Sequence, residues 1–458
     1  MRRFPIQREI SMTHYRHIQT SDLSATMTAS SVALALAPAP AVARVTEQGA
    51  GPLPDSTIEV LSSLYHKGQH RLVVEMARHL LDEAPESIFL RNILGETHAI
   101  LKENEEAVIH YVRLLEIDPH PTESERKAAY LPNVHNNLSI ALKELGFLDE
   151  AEHHVAEAIA LRPGFAVAHN TYGTLLNERA DIKGAQNHFL RAIEIDHRDH
   201  VPYWNLHSTV NDPEQAQAIL ELCLEQAPAF QTGVVTLAGM RALAGDPSHY
   251  ERLMAAGFGH DPVLRSVGWI LSLPNRPELH FNRWSVFDRA VGWSDRSRPF
   301  YEFGVWMGDS FRYLMQSYRK GFGFDTFEGL PEDWRTVPKG SYSSFGRIPQ
   351  IRGAQFVAGE FAHTLPQFFA RPRAKAALIN FDADLYASTL CALSNARPVI
   401  DGRTLLVFDE FIVNSDWEKD EYRALEEFCA REGLGYEVLA VSLYTKQMVC
   451  RLTGIAEG

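Results

Sequence analysis

Two spacings of apolar residues divide the chain. Between about Pro54 and residue 241, apolar and small residues recur at helical spacing. From Arg298 onward, short and wholly apolar runs alternate with amphipathic stretches, the pattern of buried parallel strands joined by helices. The clearest such unit is Ala377 to Phe411. Its runs Ala377–Phe381 and Thr404–Phe408 read as strands, and Ser388–Ile400 between them as a helix, with Ser388 or Thr389 available as N-cap and Pro398 near its end. Each strand stops in acid: Asp382 and Asp384 after the first, Asp409 and Glu410 after the second. Open α/β sheets take their ligands at the carboxyl ends of the strands. Four carboxylates crowded there repel one another unless a proton or cation sits among them. A hard divalent ion with oxygen ligands, most simply Mg²⁺, suits that set.

The helical half repeats. Pro85 and Pro119 stand 34 residues apart, Pro163 follows after 44, and His197 takes the same slot 34 later. The excess of about ten residues fits an insertion at His120–Ala129. Twelve residues before each slot stand Val73, Ala107, Ala151 and Ala185; eight before, Ala77, Tyr111, Val155 and Phe189; twenty-four before, Leu61, Gly95, Ser139 and Gly173. A small residue where two helices cross, a bulky partner and a terminating proline resemble the tetratricopeptide repeat. Trp204–Pro228 reads as a shortened fifth unit. By analogy with such arrays, a protein partner or a large acceptor is expected on the concave face; the alternative is that the array only packs on its neighbouring domain or dimerises. His153, His154, His169 and His188 fall within its helices and are assigned no role, since no carboxylate or cysteine pattern accompanies them.

After Arg298 a strand ends near Phe303 and is followed by Glu302-x-Gly304-x-x-x-Gly308-x-Ser310 and a helix from about Asp309. A second strand, GFGFD, ends in Asp325. A glycine turn after the first strand and an acid after the second form the arrangement by which class I methyltransferases hold S-adenosylmethionine, the acid on the ribose diol. Phe356–Gly359 reads as the third strand, with Gly359 and Glu360 near the adenine. Glu332–Arg352 reads as a mobile lid, and Tyr436–Ser442 with Gln447–Leu452 as a closing antiparallel pair.

FYEFGVWMGDSFRYL, GFDTFEGLPEDW, GEFAHTLPQF, FDADLYASTLCAL and LLVFDEF, in this order, resemble the macrocin O-methyltransferase family across about Pro299–Leu452. The resemblance implies S-adenosylmethionine, Mg²⁺ and methyl transfer to a sugar hydroxyl. It maps the metal ligands onto Asp382, Asp409 and Glu410, where family members often carry a second aspartate at the last position. On chemical grounds Asp382, or else Asp384, is the base that takes the hydroxyl proton. Glu302, Gly304, Gly308, Ser310, Asp325, Gly359 and Glu360 are expected to serve the cofactor.

The expected architecture is therefore α + α/β. It comprises a disordered Ala/Pro-rich lead (1–53), a tetratricopeptide-like solenoid (54–241), connector helices (242–297) and a class I methyltransferase, Rossmann-like sheet (298–458). If the array recruits a partner or polymer, a chain starting near Pro274 is expected to keep activity on a small sugar acceptor; otherwise the array is a structural part of the catalytic domain. The alternatives are a non-catalytic interaction scaffold and an O-methyltransferase for a non-sugar acceptor such as a catechol. A net charge of -14 argues against nucleic acid as partner. No apolar run approaches a membrane span. A signal-peptide reading of Val32–Val45 is weakened by its interrupting prolines. Met12 or Met27 is an alternative start. Four cysteines without metal-ligand spacing suit a reducing, cytoplasmic setting.

Overall fold

Small residues set how the helices stack. The computed structural model describes residues 53–117, 124–335 and 337–455, and the side chains of 124–129 are not among them. The Ala/Pro-rich lead and the start of the insertion lie outside these residues. Antiparallel helix pairs follow: α1 (Asp55–His66) with α2 (His70–Glu83), α3 (Ile88–Ile100) with α4 (Asn104–Glu116), and α5 (Ser124–Glu144) with α6 (Leu148–Leu161). Then come α7 (Ala166–Glu178) with α8 (Ile182–Ile195), and the short α9 (Val201–His207) with α10 (Pro213–Gln226). A Cβ on Gly95 would lie 2.6 Å from the Tyr111 ring, and one on Gly173 2.5 Å from the Phe189 ring. These are the repeat positions twenty-four and eight residues before the slot, so the aromatic of the second helix seats directly on the first helix. Ser139 takes the glycine position in the repeat between, and its hydroxyl donates to the Ala151 carbonyl at 2.7 Å. The described residues are thus helix-rich, with repeats resembling tetratricopeptides, followed by a mixed sheet.

The segment read as connector helices holds α12 (Ser248–Ala255), α13 (Pro262–Ser272) and α14 (Arg283–Trp293) after α11 (Gln231–Leu243), but it also contributes a strand, β1 (Glu278–His280). The remaining strands are β2 (Phe300–Phe303), β3 (Gly321–Asp325), β4 (Ala354–Ala358), β5 (Leu378–Phe381), β6 (Leu405–Phe408), β7 (Gly435–Ser442) and β8 (Met448–Thr453). They form one sheet in the order β1-β7-β8-β6-β5-β2-β3-β4, with β8 antiparallel to both of its neighbours and every other pairing parallel. Helices α15 (Asp309–Leu314), α16 (Phe361–Phe369), α17 (Tyr386–Ala396) and α18 (Glu421–Glu432) complete the crossovers. Helix α17 starts two residues before Ser388, the earlier of the two expected caps.

A row of phenylalanines fixes the sheet's register. Phe324, Phe303, Phe381 and Phe408 are cross-strand partners on β3, β2, β5 and β6. Their ring centres stand 5.0, 5.4 and 4.7 Å apart along the row. Each is followed at once by Asp325, Gly304, Asp382 or Asp409. The parallel ladder runs one residue further: Gly304 N donates to Phe324 O, Asp382 N to Phe303 O and Asp409 N to Phe381 O, at 2.8–3.0 Å. The glycine turn and the acids therefore end abreast.

The array and the sheet share one core. A single cluster of buried residues runs from Leu176, Ala185 and Phe189 through Leu264 and Val267 to Phe303, Phe381 and Phe408. Trp284 Nε1 donates to the Asn177 carbonyl at 2.5 Å, Asn282 Nδ2 to the Ser208 carbonyl at 3.1 Å, and the Tyr444 hydroxyl to Asn205 Oδ1 at 3.3 Å. Separability near Pro274 is therefore not supported by the packing. Cutting there would expose apolar surface whose burial stabilises by about 25 cal/mol per Å². A chain of residues 274–458 is expected to lose its sharp thermal transition and its near-UV dichroism. A cooperative melt from that fragment would contradict the shared core.

Candidate functional site

The acid edge opens into a cavity of about 850 Å³. Of the residues singled out in the sequence, Gly304, Ser310, Asp325, Glu360, Asp382, Asp384, Asp409 and Glu410 line it. Glu302, Gly308 and Gly359 do not. Glu302 lies fully buried beneath the turn, where its Oε1 accepts from the Ser310 hydroxyl at 2.7 Å. Burial pushes its carboxyl up to about 8. Hydrogen bonds from Ser310 and from Asn380, its cross-strand neighbour, oppose that rise.

Gly304 has φ +89°, and a Cβ there would lie 1.7 Å from the Asp382 carbonyl oxygen, so no other residue fits without moving β5. Asp325 ties the turn down. Its Oδ2 accepts from the backbone N–H of Val305 and of Trp306, both at 2.7 Å, and its Oδ1 from that of Phe327 at 2.7 Å. The expected ribose acid is thus also the anchor of the glycine turn, with part of its accepting capacity already engaged. Trp306, Tyr342, Asp384 and Lys446, all cavity residues, have left-handed backbones at φ 50°, 56°, 57° and 66°. Such conformations cost about 1 kcal/mol or more each and gather at functional sites.

Asp409 and Glu410 are paired in this structure. Asp409 accepts from Arg283 Nη2 at 3.1 Å and from Gln447 Nε2 at 2.6 Å. Glu410 takes Lys446 Nζ with both oxygens at 3.1 Å and also bonds Asn414. Neither Asp382 nor Asp384 has a side-chain hydrogen bond among the described residues. Burial raises Asp382 well above the usual carboxylate range, with the charge of Asp409 adding to it. Burial likewise raises Asp384, with Glu410 and then Asp409 adding. Asp409 is also raised by burial, against the opposing pull of Arg283. Glu421, buried behind them, accepts from the Glu410 N–H at 3.1 Å and is itself raised by burial. Arg283 and Lys446 thus hold two of the acids, and even with Lys143 also in the lining the acids outnumber the bases.

The donor set is all oxygen, which suits a hard divalent cation. The three acids expected to ligate it, Asp382, Asp409 and Glu410, share the cavity but do not bring their oxygens together here. Among the described residues, the His/Cys/Asp/Glu trio with mutually close ligand atoms lies elsewhere, in the array.

Sequence reasoning did not reach Arg283, Gln447 or Lys446, nor the wall that the array supplies: Lys143, Glu144, Leu148 and Glu178. Lys446 had a local signal, a basic residue in the turn between the last two strands at the acid edge. The array residues had none, because nothing in a helical repeat marks which face meets a sheet. The segment read as a lid folds over the mouth, with Glu332, Trp334 and Tyr342 in the lining. It is held by Trp306 Nε1 on the Ser343 carbonyl at 3.3 Å and by Arg335 paired to Asp420. Phe345 from the same segment stacks on Phe147 of the array, ring centres 5.9 Å apart. All four cysteines are free thiols, and no described helix is long and apolar enough to cross a membrane.

No protein-family model matches the chain, and neither does any curated protein. Solved structures similar to parts of it include the calicheamicin methyltransferase CalS11, 20% identical over 47% of this chain and 91% of that one, with a TM-score of 0.30. The O-methyltransferase NovP is 19% identical over 37% of this chain and 78% of that one, with a TM-score of 0.28. On the helical side, the tetratricopeptide protein TTC0263 of Thermus thermophilus is 17% identical over 41% of this chain and 98% of that one, with a TM-score of 0.34.

Proposed function

We propose that the chain is an S-adenosylmethionine-dependent O-methyltransferase built on a Rossmann-like methyltransferase sheet. Its acceptor carries neighbouring hydroxyls, a sugar first among the candidates, and it is bound between the sheet and the helical array. The observation that carries this reading is the register at the sheet's carboxyl edge. There a glycine turn, Asp325, Asp382 and Asp409 stand abreast and open into one cavity. The acidic lining suits a sulfonium cofactor, whose charge is positive. When bound, the cofactor supplies a methyl group activated by that sulfonium.

The chain's own residues do the rest. Gly304 lets the backbone approach the cofactor, and Asp325 holds the turn and offers its remaining acceptor capacity to the ribose. Asp382 would take the proton of the acceptor hydroxyl, leaving that oxygen free to accept the methyl group the cofactor would supply. Burial raises the pKa of Asp382, which makes its carboxylate a stronger proton acceptor than an exposed one. Asp384 is the second choice for that proton. Asp382, Asp409 and Glu410 would hold Mg²⁺, which lowers the pKa of a coordinated hydroxyl. Arg283 and Lys446 would have to yield part of their hold on Asp409 and Glu410. Those two ion pairs favour a second reading, in which the site works without metal and Asp382 alone activates the acceptor. On either reading the array's Lys143, Glu144 and Glu178 form an acceptor-facing wall, a role that does not require a separate protein partner.

Asp325→Ala is expected to weaken binding of S-adenosylmethionine, or of its demethylated product, by about 1–3 kcal/mol, the scale of a lost hydrogen bond to a charged group. Isothermal titration reads this directly, and unchanged affinity in a folded variant would reject Asp325 as a cofactor residue.

Mg²⁺ is expected to raise the melting temperature of the chelator-treated protein and to restore methyl transfer to a polyol acceptor. Asp382→Asn should melt at or above the parent temperature, since it removes a buried acid that no hydrogen bond satisfies. It should lose the Mg²⁺ response and about 10²–10⁴-fold in turnover. Full turnover in chelator together with an inactive Asp382→Asn enzyme would select the metal-free reading. A fully active Asp382→Asn enzyme would remove both.

A further inference from the structure

The array carries histidines in facing pairs. His110, His154 and His188 each stand nine residues before a repeat slot (119, 163 and 197), the same place on the second helix of three successive repeats. Each meets a histidine from the first helix of its own repeat. Ring centres are 5.5 Å apart for His98–His110, 5.2 Å for His135–His154 and 5.2 Å for His169–His188. Two imidazoles on one tetrahedral ion, with metal–nitrogen bonds of about 2.1 Å, have ring centres roughly 5 Å apart. In the two later pairs the Nδ1 atoms hydrogen-bond to each other, at 3.0 and 3.1 Å.

The first pair differs. Glu106 lies one helical turn before His110 on α4 and brings a carboxylate to both rings. A ring nitrogen of each histidine and an oxygen of Glu106 all lie within 4.8 Å of one another. His98 is already oriented as a ligand would be: its Nδ1 meets Glu103 Oε2 at 2.7 Å, which holds the tautomer with a bare Nε2. His110 Nδ1 is buried without a partner. A cation already fills the gap, because Arg78 Nη2 reaches His98 Nε2 at 3.5 Å and Glu106 Oε2 at 3.4 Å. The Arg78 side chain is 53% exposed, so it can swing into water. The site borders a surface hollow between α2 and α4, lined by Arg71, Arg78, His79, Asp82, Glu106 and His110, which gives an ion its way in.

We propose that His98, Glu106 and His110 form a binding site for a divalent transition metal of the zinc class, with Arg78 as the cation it displaces. Two imidazoles and a carboxylate suit Zn²⁺ rather than the hard ions expected at the acid edge of the sheet. Both rings are buried, while the Glu106 carboxylate beside them is half-exposed toward the hollow. Three protein ligands leave a position for water or a further ligand. Bound there, the ion would tie α3 to α4 at a distance from the cavity.

The test titrates ZnCl₂ into the untagged, metal-stripped full-length protein by calorimetry at neutral pH. Expected is a binding event that His110→Ala and Glu106→Gln each abolish, that Asp382→Asn leaves in place, and that Arg78→Ala tightens several-fold. X-ray absorption of the loaded protein should show imidazole back-scattering. Circular dichroism of each variant guards against loss of the fold, and Glu106→Gln serves if His110→Ala misfolds. Zn²⁺ binding indifferent to Glu106 and His110, or none at all, would overturn the site. An Arg78→Ala protein with unaltered affinity would overturn the displacement.

Discussion

The row of phenylalanines across β3, β2, β5 and β6 is the constraint on which the rest depends. In a parallel sheet a slip of one residue turns every side chain to the other face. Phe324, Phe303, Phe381 and Phe408 are each fully buried on one face, and the other face is filled by residues such as Phe300, Leu378 and Leu405, so a slip would drive four large rings into a layer already packed. Overpacking of that kind costs about 1–3 kcal/mol per site, enough to hold a single register. The polar residues that follow the rings are thereby delivered to one line at one end of the sheet. Apolar packing determines where the carboxylates go, and their own mutual repulsion does not.

That delivery is unfavourable by itself. Asp382, Asp384, Asp409 and Glu421 are driven toward protonation by burial and by one another. Arg283 and Lys446 pair directly with Asp409 and Glu410 and act on Asp382 and Asp384 only through space, without overcoming their burial. A fold that keeps uncompensated acids at the carboxyl ends of its strands gains nothing in stability from them. Such concentrations of strain and perturbed acidity mark sites of chemistry. The left-handed backbones of Trp306, Tyr342, Asp384 and Lys446 around the same cavity belong to the same pattern.

The helical array is part of this arrangement. Its last repeats enter the core of the sheet, and Lys143, Glu144, Leu148 and Glu178 reach the cavity. Gly146 is tight against Trp306 and Met307, where a Cβ would lie 2.9 and 2.6 Å from their side chains. The loop between α5 and α6 thus touches the glycine-turn segment of the sheet. An array packed in this way contributes to the shape of the cavity, whatever else its outer faces bind.

Local pattern carried much of this. Apolar runs ending in acid marked β5 and β6 because a buried strand must be apolar along its whole length and must stop where polar residues begin. The 34-residue spacing marked the repeats, because Gly95 and Gly173 have to be small where Tyr111 and Phe189 press on them. The glycine turn was legible for a similar reason, since Gly304 has no room for a Cβ. Three things needed the folded chain. Strand β1 is three residues long, too short for any periodicity to reveal. The partners of the acids, Arg283 and Gln447, come from 126 and 38 residues away and are chosen by packing alone. The role of Asp325 changed most: an acid after a second strand is visible in sequence, and the Phe327 N–H it accepts from is local, but its donors Val305 and Trp306 reach it only once β2 and β3 are paired and the turn between β2 and α15 has closed over it.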